Sequence, residues 1–194
     1  MKLNRDRIVA EAIAILREEG LDAVSLRRVA ARLDARAPSL ARHVGDKQML
    51  LALMSRQLFR EALDAVPPGA DWRQWLMEFG RALWRKQRDT RDIAKLIAYA
   101  PPHEEADGQT IAMLDTALRS VGLPIERGMM MQSAVQALVT GWTGFVTGTK
   151  GPRIEALIPV ETAVEASLAA MVNGFAGEEK LFSQSDFKAG GNAC

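Results

Sequence analysis

Apolar residues recur along this chain at intervals of three and four rather than two, which is the signature of amphipathic helices. In 5–19, Ile8, Ala12, Ile15 and Leu16 form one stripe, with Asn4 placed as N-cap, Asp6 in the first turn and Gly20 as the stop. Ser25 caps a short second helix whose Leu26, Val29, Ala30 and Leu33 share a face. Asp34-Ala35-Arg36-Ala37 reads as a turn, and Pro38 suits the first turn of a third helix that reaches Val44. Gly45-Asp46 ends that helix, and Asp46 caps a fourth, expected from about Lys47 to Val66 with Leu50, Met54 and Leu58 in register. Pro67-Pro68-Gly69 stops it.

The same period continues. A fifth helix carries Trp72, Trp75, Leu76, Phe79 and Leu83, and a short sixth runs from about Asp92 to Tyr99, before Pro101-Pro102. A seventh spans about 107–121, and Pro124 opens an eighth that runs to about Thr147. Residues 150–159, with Gly151-Pro152 and Pro159, read as a loop. A ninth helix aligns Val164, Leu168, Met171, Val172 and Phe175. Residues 177–194 show no strong pattern and are expected to be a flexible tail. The expected fold class is all-α, with about nine helices.

Composition narrows the function classes. The chain has 194 residues, 48% apolar and 25% charged, as in ordinary globular proteins. No apolar run is long enough for a membrane span, and the start leads into an amphipathic pattern rather than a signal peptide, so a cytoplasmic protein is expected. The single Cys194 excludes a disulfide framework and a cysteine-based zinc site, and two histidines leave little for a metal enzyme. A glycine-rich nucleotide loop, a nucleophile elbow and a metal-ligand cluster are all lacking. The expectation is therefore a non-enzyme without cofactor or metal.

The net charge of +1 hides an asymmetry. Residues 1–50 hold 10 Lys and Arg against 7 Asp and Glu, whereas 51–194 hold 15 against 17. Between Ser25 and Lys47 the basic excess is Arg27, Arg28, Arg32, Arg36, Arg42 and Lys47 against Asp34 and Asp46. This segment coincides with two short helices joined by about four residues, the layout of a helix-turn-helix whose second helix enters the DNA major groove. Beyond Leu40 and Val44 that second helix has little apolar content, as expected of an element facing away from the core.

The stretch Arg7 to Ala12, then Gly20 to Leu33, then Pro38-Ser39-Leu40 and His43 to Leu51, resembles the DNA-binding domain of the TetR family over about residues 4–53. It is most similar to the tetracycline-repressor branch, in which a histidine and valine are followed by two residues and a lysine, as in His43-Val44-Gly45-Asp46-Lys47. The rest resembles the family in length and helical pattern. The resemblance implies a helix-turn-helix domain at 1–46, a ligand-binding and dimerisation domain at 47–176, and a homodimer that binds a palindromic operator. In that scheme a small-molecule inducer releases the operator. The alternative is a DNA-binding regulator that is constitutive or controlled by a protein partner. Two departures stand out: Asp34-Ala35 replaces a Gly-Val or Gly-Ile turn, and Ala41-Arg42 replaces a tyrosine followed by an aromatic.

The resemblance places Arg27 at a base-reading position of the second helix, where arginine pairs with guanine. Arg36, Ala37, Pro38 and Ser39 lie at the base-reading end of the recognition helix. Arg42, His43 and Lys47 read as backbone contacts, and Arg28 completes the candidate DNA surface. In the eighth helix, Ala134, Ala137, Gly141, Gly144 and Gly148 recur at spacings of three and four. Three glycines within a helix ask for a reason: a dimer interface completed by Leu168 and Met171, close packing within one subunit, or room for a ligand. Ligand candidates are Trp75, Phe79, Leu83, Tyr99, His103, Met113, Trp142 and Phe145, and the aromatics among them fit an ordinary core equally well. His103 reads as a polar anchor or as part of a surface loop.

Overall fold

A computed structural model of the chain describes residues 3–67, 71–102 and 104–177. The expected tail beyond Gly177 and the candidate His103 lie outside the described residues. Among those residues the chain forms ten α-helices, one 3-10 turn and no strand. Helices α1 (Arg5–Glu19), α2 (Leu26–Arg32), α3 (Ala37–Val44) and α4 (Lys47–Asp64) begin where local chemistry places them. Asn4, Ser25 and Asp46 each accept a hydrogen bond from the backbone N–H three residues on, which satisfies a donor that the helix cannot. Gly20, at φ 89, turns the chain after α1 into the 3-10 turn Leu21–Ala23. Asp34 takes the left-handed conformation, φ 50, at the bend between α2 and α3, a conformation Asp tolerates better than most residues.

The later elements are α5 (Trp72–Arg88), α6 (Ile93–Tyr99), α7 (Glu104–Ser120), α8 (Ile125–Thr147), α9 (Gly151–Leu157) and α10 (Val160–Gly177). Helix α9 corrects the loop expected at 150–159. Pro152 falls in its first turn, where a missing N–H breaks no helical bond. A Cβ on Gly151 would run into the Val146 carbonyl, so the glycine that reads as a loop signal is required by a close approach. The expected ninth helix is thus α10.

The chain divides into two compact units, Met1–Val66 with Arg81–Leu114, and Pro67–Gly80 with Asp115–Cys194. In the first, a continuous core joins Ile8, Ile15 and Leu16 of α1, Val29 of α2, Leu40 and Val44 of α3, Leu50, Met54 and Leu58 of α4, and Ile93 and Leu96 of α6. Full burial of such side chains contributes about 1.5–3 kcal/mol each. The short helices α2 and α3, marginal alone, are held by this core. In the second unit, α8 packs against both α9 and α10. Helix α8 buries Met131, Val135, Val139, Thr143 and Val146, and α10 buries Val160, Val164, Leu168 and Val172.

Candidate nucleic-acid interface

Leu40 and Val44 anchor α3 in the core, which fixes the face it turns outward. Pro38 and Arg42 are exposed there, and Ala37, Ser39, Ala41 and His43 are half-buried along its flanks. Two bonds hold the ends of the helix. Ala35 N–H donates to the Ala30 carbonyl across the bend at 2.9 Å, and Arg5 Nε donates to the His43 carbonyl at 3.1 Å. Lys47 is exposed at the start of α4, beside the Asp46 cap.

The basic residues of this segment separate into two groups that the sequence alone treats alike. Arg28 forks onto the Glu19 carboxylate through Nε and Nη2, the latter at 2.8 Å. Arg32 lies within 2.6 Å of both Glu11 and Glu18, and reaches Glu19 at 3.5 Å. The hydrogen bond from Arg32 holds the Glu18 carboxyl below the usual carboxylate range, and the same bond pushes the Arg32 guanidinium up. These pairs neutralise the side where α2 meets α1. Arg27, Arg36, Arg42 and Lys47 are exposed, and among the described residues their side chains form no ion pair. The unneutralised positive charge therefore concentrates on the outward side of the helix-turn-helix, beside the first turn of α3 and at the start of α4. Such an arrangement suits phosphate and base-edge contacts, since each cation is available without breaking an internal pair.

The remaining candidates fall in different places. Trp75 and Phe79 are buried in the second unit with their rings stacked, centroids 5.4 Å apart and 2° from parallel. Trp142 is half-buried and Phe145 is 64% exposed, meeting edge to face at 6.4 Å. Leu83 is buried and Met113 half-buried in the first unit. Tyr99, 67% exposed, lines a groove of about 300 Å³ with Leu21, Asp22, Lys47, Gln48, Leu51 and Lys95.

On α8, Ala137, Gly141 and Gly144 are exposed and Ala134 is half-buried, and Gly148, just past its end, is exposed. A Cβ on Gly141, Gly144 or Gly174 of α10 would meet nothing within 4 Å, so the protomer's own packing does not explain these glycines. Leu168 lies in the interior of its own unit, where a Cβ on Gly80 would stand 2.6 Å from its Cδ2; Met171 is half-buried. Sequence reasoning missed the acidic partners Glu11, Glu18 and Glu19, and it read Asp92 merely as a helix boundary. Long-range pairing of this kind leaves no periodic signal in the chain. Among the described residues no helix is long and apolar enough to cross a membrane, and no cluster of three or more His, Cys, Asp or Glu is placed to hold a metal.

No family model matches the chain. It is similar to the tetracycline repressor protein class D of Escherichia coli, 29% identical over 150 residues, a match covering 72% of this chain and 65% of that repressor. It is 30% identical over 145 residues to the class A repressor from transposon 1721, also of Escherichia coli, covering 72% of this chain and 62% of the repressor. The chain thus spans less than two thirds of the length of these curated relatives. Among solved structures, it is similar to the Streptomyces coelicolor TetR family protein ActR in complex with (S)-DNPA. That match has a TM-score of 0.69 and 26% identity, and covers 91% of this chain and 98% of ActR.

Proposed function

The chain belongs to the TetR family, and from that premise we propose that it is a ligand-responsive transcriptional repressor that binds a palindromic operator as a homodimer in the cytoplasm. The observation that carries the DNA-binding reading is the separation of cations: Arg28 and Arg32 are neutralised by α1 carboxylates, while Arg27, Arg36, Arg42 and Lys47 stand uncommitted. Arg27 and residues 36–39 read base edges, and Arg42, His43 and Lys47 hold the phosphates. Residues 1–46 serve as the reading head and 47–176 as the sensing and dimerising part.

The dimer reading is supported by Gly141 and Gly144 of α8 and Gly174 of α10, where a Cβ would meet nothing within 4 Å, and by the exposed Phe145 beside them. A second copy approaching there would bury backbone closely, which gives interior glycines a reason to exist. The inducer reading is supported by the stacked Trp75 and Phe79 and by the ligand held by ActR. Selection from random-sequence DNA, followed by footprinting, tests the proposal. A protected dyad bound by two copies is expected. Recovered sequences without dyad symmetry, or no enrichment at all, overturn it. A compound that both raises the melting temperature and releases the selected DNA identifies the inducer by mass action.

A further inference from the structure

Asp92 stands at the start of α6 in the left-handed conformation, φ 55, which costs a non-glycine residue free energy and asks for a compensating contact. An aspartate in this position ordinarily turns its carboxylate onto the first N–H groups of its own helix. Asp92 makes no such cap. Its Oδ2 instead accepts from the backbone N–H of Leu21 at 3.0 Å, 71 residues away in sequence. That N–H opens the 3-10 turn after α1, where a helix-like start leaves a donor unsatisfied. Oδ1 is held at 3.0 Å by Lys95, so both carboxylate oxygens are occupied.

The neighbouring residues reinforce the same seam. Arg91 Nη1 reaches the Glu18 carbonyl at the end of α1. Gly20 has φ 89, and a Cβ there would stand 2.8 Å from Asp92 Oδ2 and 3.2 Å from Arg91 Nε. The corner between α1 and α2 is therefore shaped to receive this carboxylate, and the start of α6 is seated against the three-helix head at that corner.

We propose that Asp92 is a positioning residue whose carboxylate, bonded to the Leu21 amide, fixes the tilt of the reading head on α6 and so sets which half-site spacing the dimer accepts. The inference rests on the DNA-binding reading above. Leu40 and Val44 keep α3 internally rigid, so loss of the clamp leaves each half-site's base preference intact. It loosens the seating of the head on α6 about the core that Ile93 and Leu96 share with it, and the selectivity for the distance between half-sites falls. A residue that merely stabilised the fold would not change that spacing profile.

Two variants and two readouts test this. Asp92→Gly removes the carboxylate and keeps the left-handed backbone at no cost; Asp92→Asn keeps an acceptor oxygen and that backbone preference without the charge. Hydrogen exchange on the DNA-free protein reports the clamp itself, and the Leu21 amide is expected to exchange about tenfold faster or more in Asp92→Gly. Selection from DNA libraries with varied half-site spacing reports the consequence. Wild type is expected to enrich one spacing, Asp92→Gly to spread over neighbouring spacings with unchanged half-site bases, and Asp92→Asn to lie between. A single sharp spacing with a slow Leu21 amide in Asp92→Gly overturns the proposal. If wild type enriches no DNA, the DNA-binding reading fails instead, and Leu21 exchange still decides whether the clamp exists.

Discussion

The outward face of the α2–α3 pair and the outward face of α8 are both exposed, with opposite chemistry. The first presents Arg27, Arg36, Arg42 and Lys47, with neighbouring cations withdrawn into pairs with α1. The second presents Gly141 and Gly144, where a Cβ would meet nothing. A polyanion needs charge that is not already neutralised, whereas a second helix needs backbone that can be approached closely. The first face is thus marked by what its side chains carry and the second by glycines with open space above them, beside the exposed Phe145.

The largest expected effect comes from filling the empty face. Gly144→Leu should abolish the dimer in sedimentation equilibrium and weaken operator binding by at least about a hundredfold, because two linked half-sites no longer act together. The protomer should keep its melting temperature, since leucine replaces a helical glycine in open space. Gly80→Val provides the contrast. Its side chain collides with Leu168 and Val135 inside the unit, and such overpacking costs about 1–3 kcal/mol of stability. A Gly144→Leu protein that stays dimeric breaks the comparison.

The charged face should respond more gradually. Arg42→Ala and Arg36→Ala should each weaken operator binding. The salt slope should fall by about 0.9 for each phosphate no longer neutralised, and discrimination by about 1–3 kcal/mol where a guanine is read. Arg28→Ala should change binding little, and stability by no more than about 1 kcal/mol, because its exposed partner is Glu19. Binding titrations across a salt series check this. Equal weakening at Arg28 and Arg42 would remove the distinction between committed and uncommitted cations.

The smallest effect concerns acid. The Leu21 amide, with Lys95 adding to it against partial burial, holds the Asp92 carboxyl below its usual range. A carboxyl depressed in the folded state stabilises the fold above its unfolded value, about 3.9, and that contribution fades as pH falls through the folded value. Wild type should therefore lose stability more steeply than Asp92→Gly on acidification below about pH 4. Chemical denaturation at several acid pH values measures it, and parallel acid limbs would remove the stabilising role.

Much of the fold is legible in the chain because its determinants are local. Asn4, Ser25 and Asp46 cap the helices they precede, and Gly20 ends the first. Helix α3 is likewise readable from Pro38 to Val44. The reading fails where a local signal has two meanings. Gly151-Pro152 suits a loop and also a helix start, and the approach of the Val146 carbonyl selects the latter. Ala134, Ala137, Gly141, Gly144 and Gly148 are visible as small residues spaced three and four apart, but their exposure is not. The period places Leu168 beside Met171, whereas packing against the Gly80 position puts Leu168 inside.

The sequence by itself determined the helical period, the capped ends, the helix-turn-helix and the basic bias of the first 50 residues. These follow from contacts within a turn or two of chain, or from composition. Tertiary structure alone decided which arginines are neutralised, which glycines face open space and where the Asp92 carboxylate goes. Each of those depends on groups brought together across the fold, Glu11 with Arg32 or Leu21 with Asp92, and neither distance nor orientation between such groups is written in a linear pattern.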